Sequence, residues 1–208
     1  MIKKTSNITT FPKEIFEQKP NDILLANYVR VYLTNKRAWS AYARTRGDVQ
    51  ASKKKVWKQK GTGRARHGAI SAPIFVGGGK AHGPKFKNVK LKINKKQTRI
   101  ALFYSLTKAN KEKRIFILPT PSLKTPPKTQ KFEKNLKDLK IYGKKILLVY
   151  SSTNETSKNL ILSARNINNL VYSEARSLNA YEVLSSDILL FAEDALASLN
   201  KHYLSNEK

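Results

Sequence analysis

Two short stretches carry residues at spacings that could handle phosphate. The run Gly77-Gly78-Gly79-Lys80 has the makings of a phosphate loop, in which backbone N–H groups cradle phosphate oxygens and a lysine neutralises them. That pattern needs glycine at 74 and a hydroxyl residue at 81, where this chain has Ile74 and Ala81. Gly61-Thr62-Gly63 opens like a dinucleotide fingerprint, but Arg66 stands in place of its third glycine and no strand precedes it. His67 and His82 could serve as general bases, yet no clustered carboxylates accompany them, so contact with RNA or simple exposure is the better account. Asp187, Glu193 and Asp194 fall where strands end and helices begin. The chain has no cysteine, which excludes disulfides and thiol catalysis, and its three histidines lack metal-ligand spacing. No cofactor, metal or small-molecule substrate is expected, and the chain reads as a non-enzyme.

The chemistry that remains is that of charge. Lys and Arg total 41 against 14 Asp and Glu, a formal net charge of +27. So large an imbalance opposes compaction unless a polyanion supplies counter-charge. Residues 36–96 hold 18 of the basic residues and a single acid, Asp48. Within them Lys53, Lys54, Lys55, Lys58, Lys60, Arg64 and Arg66 form a dense row suited to phosphate contact. Arg44, Arg46, Lys80, Lys85 and Lys87 extend the same RNA-binding set. Trp57, Phe75, Phe86, Trp39 and Tyr42 offer rings on which unpaired bases can stack. Eight of the nine glycines lie between Gly47 and Gly83, where they permit close backbone approach. A membrane partner is not expected, because no run approaches the roughly 18 apolar residues of a spanning helix. The N-terminal residues lack the apolar core of a secretory signal, and Glu14 and Glu17 argue against a transit peptide.

The flanks must hold this segment in place. Asn21 reads as an N-cap, followed by an apolar stripe of Leu25, Tyr28, Val29, Tyr32 and Leu33. Leu102, Leu106 and Ala109 predict a helix from after Asn94 to about Lys113. Residues 114–118, 145–151, 169–173 and 187–192 read as strands, and their near-continuous apolar character predicts burial on both faces. Helices are predicted around Phe132–Leu139 with Gly143 as the stop, around Leu160–Ala164, at Tyr181–Leu184 and over Glu193–Leu204. Strands alternating with helices give an α/β fold: a parallel sheet flanked by helices, carrying a long basic extended internal loop. The predicted organisation is a globular domain from 1–45 and 97–208, interrupted by an arm over 46–96. Between Gly47 and Lys92 no helical or strand period is found. An out-and-back excursion of about 50 residues reaches at most ~80 Å at about 3.3 Å per residue. With little apolar surface of its own, it is expected to be mobile alone and ordered by its partner.

At residues 55–85 the sequence resembles the L4 family of large-subunit ribosomal proteins, of bacterial and organellar type. The resemblance rests on Gln59 to Gly68, then Pro73, Gly77 to Gly79, Gly83 and Pro84. Supporting stretches lie at 35–49, 93–106 and 175–196, so that it covers about residues 15–204. Departures occur at Val56, at Ala51-Ser52-Lys53 and at Lys85-Phe86, all in loops. The resemblance implies a structural constituent that binds 23S-type rRNA, supports subunit assembly and lines part of the polypeptide exit tunnel. It implies that the tip comprises Gln59, Lys60, Gly61, Thr62, Gly63, Arg64, Ala65 and Arg66, with Lys60 to Arg64 at the tunnel itself. Other large-subunit proteins would be partners, number twenty-two lying across the tunnel. Lys outnumbers Arg 31 to 10, as an AT-rich coding genome produces, which favours a plastid ribosome with the bacterial cytoplasm as the alternative. Two other classes fare worse. A nucleic-acid-modifying enzyme needs a cluster of convergent polar groups, and a DNA regulator needs a reading element; neither is visible.

Overall fold

The computed structural model describes residues 3–4, 12–19, 21–118, 128–152 and 155–204. The chain forms two compact units, Met1–Leu33 with Lys92–Lys208, and Thr34–Leu91. The second therefore starts earlier, and ends earlier, than the 46–96 read from composition.

The first unit is built on a sheet of β1 (Lys3–Lys4), β2 (Ile115–Leu118), β3 (Ile146–Tyr150), β4 (Leu170–Glu174) and β5 (Ile188–Ala192). The spatial order is β1-β2-β5-β3-β4. Strands β2 to β5 are mutually parallel, with Ile115 opposite Leu189, Ile146 opposite Ile188 and Ile146 opposite Leu170; β1 adds an antiparallel edge to β2. Parallel neighbours require crossovers, and helices supply them: α4 (Thr129–Asp138) precedes β3, α5 (Glu155–Ala164) precedes β4, and α6 (Ala180–Ser185) precedes β5. After β5 the chain continues into α7 (Glu193–Leu204), with Glu193 and Asp194 in its first turn and Lys201 and His202 in its last, each sign at its favourable end of the helix dipole. The remaining helices are α1 (Lys13–Phe16), α2 (Asp22–Lys36) and α3 (Lys95–Lys111).

Burial follows position in the sheet. All of β5 and all of β2 are buried, as two-sided cover demands. Strand β4 breaks the expectation: Val171 and Tyr172 are about half exposed, because β4 is an edge and no helix layer closes over both its faces. The main core gathers Leu147, Leu148, Leu189, Leu190 and Phe191 with Leu106 from α3, Leu136 from α4 and Leu199 from α7. A smaller cluster joins Leu25 and Tyr28 of α2, Ala101 of α3 and Ala180 of α6. Phe191 is fully buried in an interior strand. Phe191→Ala is expected to lower unfolding free energy by about 3–5 kcal/mol, through lost burial and the cavity left behind. Urea unfolding followed by circular dichroism measures it.

Two local expectations need correction. The buried stripe of α2 is Leu25, Tyr28 and Val31, whereas Leu33 is exposed, because the face that meets α3 and α6 turns away before the last turn. Helix α4 does not stop at Gly143. It ends at Asp138, and Lys140 takes the left-handed conformation (φ 57°) that lets Ile141 donate to the Leu136 carbonyl at 3.1 Å. Gly143, also left-handed, serves the separate turn before β3. The N-cap reading of Asn21 holds, its Oδ1 accepting the N–H of Leu24 at 3.1 Å.

Candidate nucleic-acid interface

The unit Thr34–Leu91 contains the last turn of α2 and otherwise no helix or strand. None of its apolar side chains is fully buried, so it has no hydrophobic core of its own. Backbone pairing joins its two limbs. At its base, Asn35 closes a two-bond clasp on Leu91: Nδ2 donates to the Leu91 carbonyl at 3.0 Å, and Oδ1 accepts the Leu91 N–H at 2.9 Å. Further out, Ala43 N–H donates to Pro84 O and Lys80 N–H to Arg44 O, both at 2.8 Å. Farther still, Val56 N–H donates to Gly68 O at 3.0 Å. These pairings run antiparallel, so the limbs form an open hairpin whose midpoint falls near Thr62. Gly61 and Gly63 flank that midpoint with φ of 81° and 62°, the left-handed region a tight reversal uses. The sequence reading assigned this excursion no internal order. The pairings were hidden because each joins residues far apart in the chain.

Between the outer two rungs the return limb coils through successive turns, from Ala69 to Gly79. Gly79 N–H donates to Ser71 O at 3.0 Å, and both residues are buried. Here the limbs touch backbone to backbone, and a Cβ on Gly79 would lie 2.3 Å from the Arg46 nitrogen.

The site residues read from sequence sort cleanly by exposure. Arg44, Arg46, Lys53, Lys54, Lys55, Lys58, Gln59, Lys60, Gly61, Thr62, Gly63, Arg64, Arg66, Lys80, Lys85 and Lys87 are exposed, whereas Trp57 and His67 are half-buried. Among the described residues no cation of this unit forms an ion pair. Thr34–Leu91 carries 15 basic residues and one acid, giving a net +14 on a hairpin that cannot neutralise itself.

The rings are less available than their types suggested. Trp57 meets His67 edge-on at 5.3 Å between centroids, and His67 meets Phe75 at 5.0 Å. Arg64 lies over the Trp57 ring at 5.7 Å, and the Trp57 indole N–H donates to Ala65 O at 3.0 Å. This row braces the outer hairpin. Trp39 is held by its own indole bond to Thr34 O and by Arg37 above its ring, whereas Tyr42 donates its hydroxyl to Asp48 and keeps its ring more than half exposed. Phe86, about two-thirds exposed, is left with an open face.

Asp48 has a role that charge counting missed. Its Oδ2 accepts the Tyr42 hydroxyl at 2.6 Å, the Thr45 hydroxyl at 2.7 Å and the Thr45 N–H at 3.0 Å. The Thr-x-x-Asp spacing, familiar from helix caps, was the available signal. The donated bond from Tyr42, then those from Thr45, draw the Asp48 carboxyl down from an ordinary 3.8 to about 2, and the same bond raises the Tyr42 hydroxyl. Because the folded value lies below the ordinary one, this turn is fully stabilised above about pH 4. It weakens as pH falls through about 2. Asp48→Asn is expected to remove that acid transition, read as loss of the pH response of the Thr45 amide in NMR. Retention of the response in the variant would mean another group titrates there.

An exposed, unpaired row of ammonium and guanidinium groups on a braced hairpin can bind successive phosphates. Among the described residues no group of three or more acids and histidines could hold a metal ion. Comparison with known proteins agrees with this chemistry. Residues 9–202 match the family described as ribosomal protein L4/L1. The chain is 35% identical to large ribosomal subunit protein uL4 of Christiangramia forsetii, across 95% of this chain and 93% of that protein. It is similarly 35% identical to the uL4 of Amoebophilus asiaticus, over 97% and 94%. It is 36% identical to that of Natranaerobius thermophilus, over 92% and 90%.

Proposed function

The chain belongs to the ribosomal protein L4/L1 family, and from that premise we propose that it is a structural constituent of the large ribosomal subunit that binds large-subunit rRNA. It is not an enzyme. The observation that carries the reading is the hairpin Thr34–Leu91, whose 15 cations face one acid already committed to Tyr42 and Thr45. Folded rRNA supplies the missing charge. Each phosphate neutralised releases counterions, so binding gains free energy from the solvent as well as from contact.

The finer reading follows the family resemblance. The reversal at Lys60, Gly61, Thr62, Gly63 and Arg64 lines the polypeptide exit tunnel, opposite ribosomal protein twenty-two. The hairpin's exposed cations thread rRNA during subunit assembly, and the polyanion rigidifies what four pairings alone only outline. The three relatives named above are bacterial, which supports a bacterial cytoplasmic ribosome over the plastid one. An abundance of Lys, Asn and Ile reports genome composition, which AT-rich bacteria share with plastids.

A salt titration tests the core of this reading. Affinity for large-subunit rRNA is expected to fall about 10³- to 10⁵-fold between 50 and 200 mM salt, the range for six to ten phosphate contacts. A flat dependence in filter binding would remove the electrostatic role of the hairpin.

A further inference from the structure

The globular unit holds a second cationic site, remote in sequence from the hairpin. A cavity of about 300 Å³ opens where α2, α3, the β4–α6 connection and α7 meet. Among the described residues its lining includes Lys95, Arg99 and Arg176 and no carboxylate. Lys95 and Arg176 are exposed and make no ion pair among the described residues. Arg99 is half-buried and fixed: it donates to the Tyr203 carbonyl and lies over the rings of Phe103 at 5.4 Å and Tyr203 at 6.0 Å. Tyr28 and Tyr203 give the cavity aromatic wall, and burial pushes both hydroxyls up. Glu182, beyond the lining, is the acid whose field reaches Tyr28.

We propose that this cavity receives one unpaired nucleotide of RNA, its phosphate held by Lys95 and Arg176 and its base laid against Tyr203. The proposal deepens the rRNA-binding reading and rests on it. Size favours this occupant. A cavity near 300 Å³ stands at about the lower limit of small-ligand sites, so it admits a single nucleotide and no duplex. Inorganic phosphate alone would leave the aromatic wall unfilled. Charge favours it as well, since the exposed Lys95 and Arg176, with no lining carboxylate among the described residues, suit a phosphodiester, and the rings supply the stacking that phosphate contact lacks.

The test uses the full chain, isotope-labelled, with three probes followed by NMR: penta-adenylate RNA, adenosine 5′-monophosphate and inorganic phosphate. Penta-adenylate is expected to shift the amides of Thr98, Ser177 and Asn179 saturably, with the mononucleotide weaker and phosphate weakest. The double variant Lys95→Gln/Arg176→Gln should weaken those cavity shifts at least about tenfold. It should leave shifts at Lys53–Arg66 and the circular-dichroism spectrum unchanged. Equal affinity in the variant, or phosphate binding as tightly as the RNA, overturns the proposal. Shifts confined to the hairpin would also overturn it while sparing the broader reading, whereas an rRNA affinity indifferent to salt would sink the broader reading itself.

Discussion

Replacing Lys53, Lys54, Lys55, Lys58, Lys60, Arg64 and Arg66 together by glutamine is expected to reduce affinity for large-subunit rRNA by at least about a thousandfold near 150 mM salt. All seven are exposed and none is paired with an acid among the described residues, so each is free to meet a phosphate. Removing seven such contacts should flatten the logarithmic salt slope by about 5–6, since each contributes roughly 0.7–0.9. The unfolding transition of the α/β unit should stay in place, because none of these side chains belongs to its core. Filter binding across a salt series gives both numbers. An unchanged slope would show that the affinity comes from other residues, and the hairpin would lose its assigned role.

Gly79→Ala is expected to force the two limbs of the hairpin apart. A Cβ there would sit 2.3 Å from the Arg46 nitrogen, 2.5 Å from the Thr45 carbonyl carbon and 2.7 Å from the Arg46 Cα. All three are backbone atoms, which cannot swing aside as a side chain tip can. The limbs must part, breaking the Lys80–Arg44 bond that joins them. Overpacking of this kind costs about 1–3 kcal/mol, which raises local hydrogen exchange roughly 5- to 150-fold. The amide of Lys80 reports it. Gly77→Ala is the control: Gly77 is left-handed (φ 81°), but open space surrounds it, so strain of about 1 kcal/mol falls on its own turn and the Lys80 amide is spared. Wild-type protection at Lys80 in Gly79→Ala would mean that the limbs do not meet there.

What could be read from the chain depended on whether the signal was local. Strands β2, β3 and β5 are short apolar runs that declare themselves, and the helices between them follow a 3.6-residue period. The left-handed residue ending α4 was misread as Gly143, because glycine is the usual choice and a lysine gives no warning. Strand β1 is two residues long and offers no period. In the interface, the cations were legible because charge acts without precise geometry. The clasp of Asn35 on Leu91, the seat of Gly79 against Arg46 and the row Trp57–His67–Phe75 were not, since each depends on a partner well away in the chain. Three of the rings read as base-stacking surfaces, Trp57, Phe75 and Trp39, also make contacts within the hairpin that no local pattern announces.

The spacing of the rungs makes the hairpin a ruler. From the Arg44–Lys80 bond to the Val56–Gly68 bond, each limb advances twelve residues. A lone insertion in one limb there would throw every outer pairing out of step. Residues added in pairs at the Thr62 reversal disturb no rung, and each pair lengthens the reach by about 3.3 Å. The length of the hairpin beyond its outermost rung is therefore set by the residue count between Val56 and Gly68.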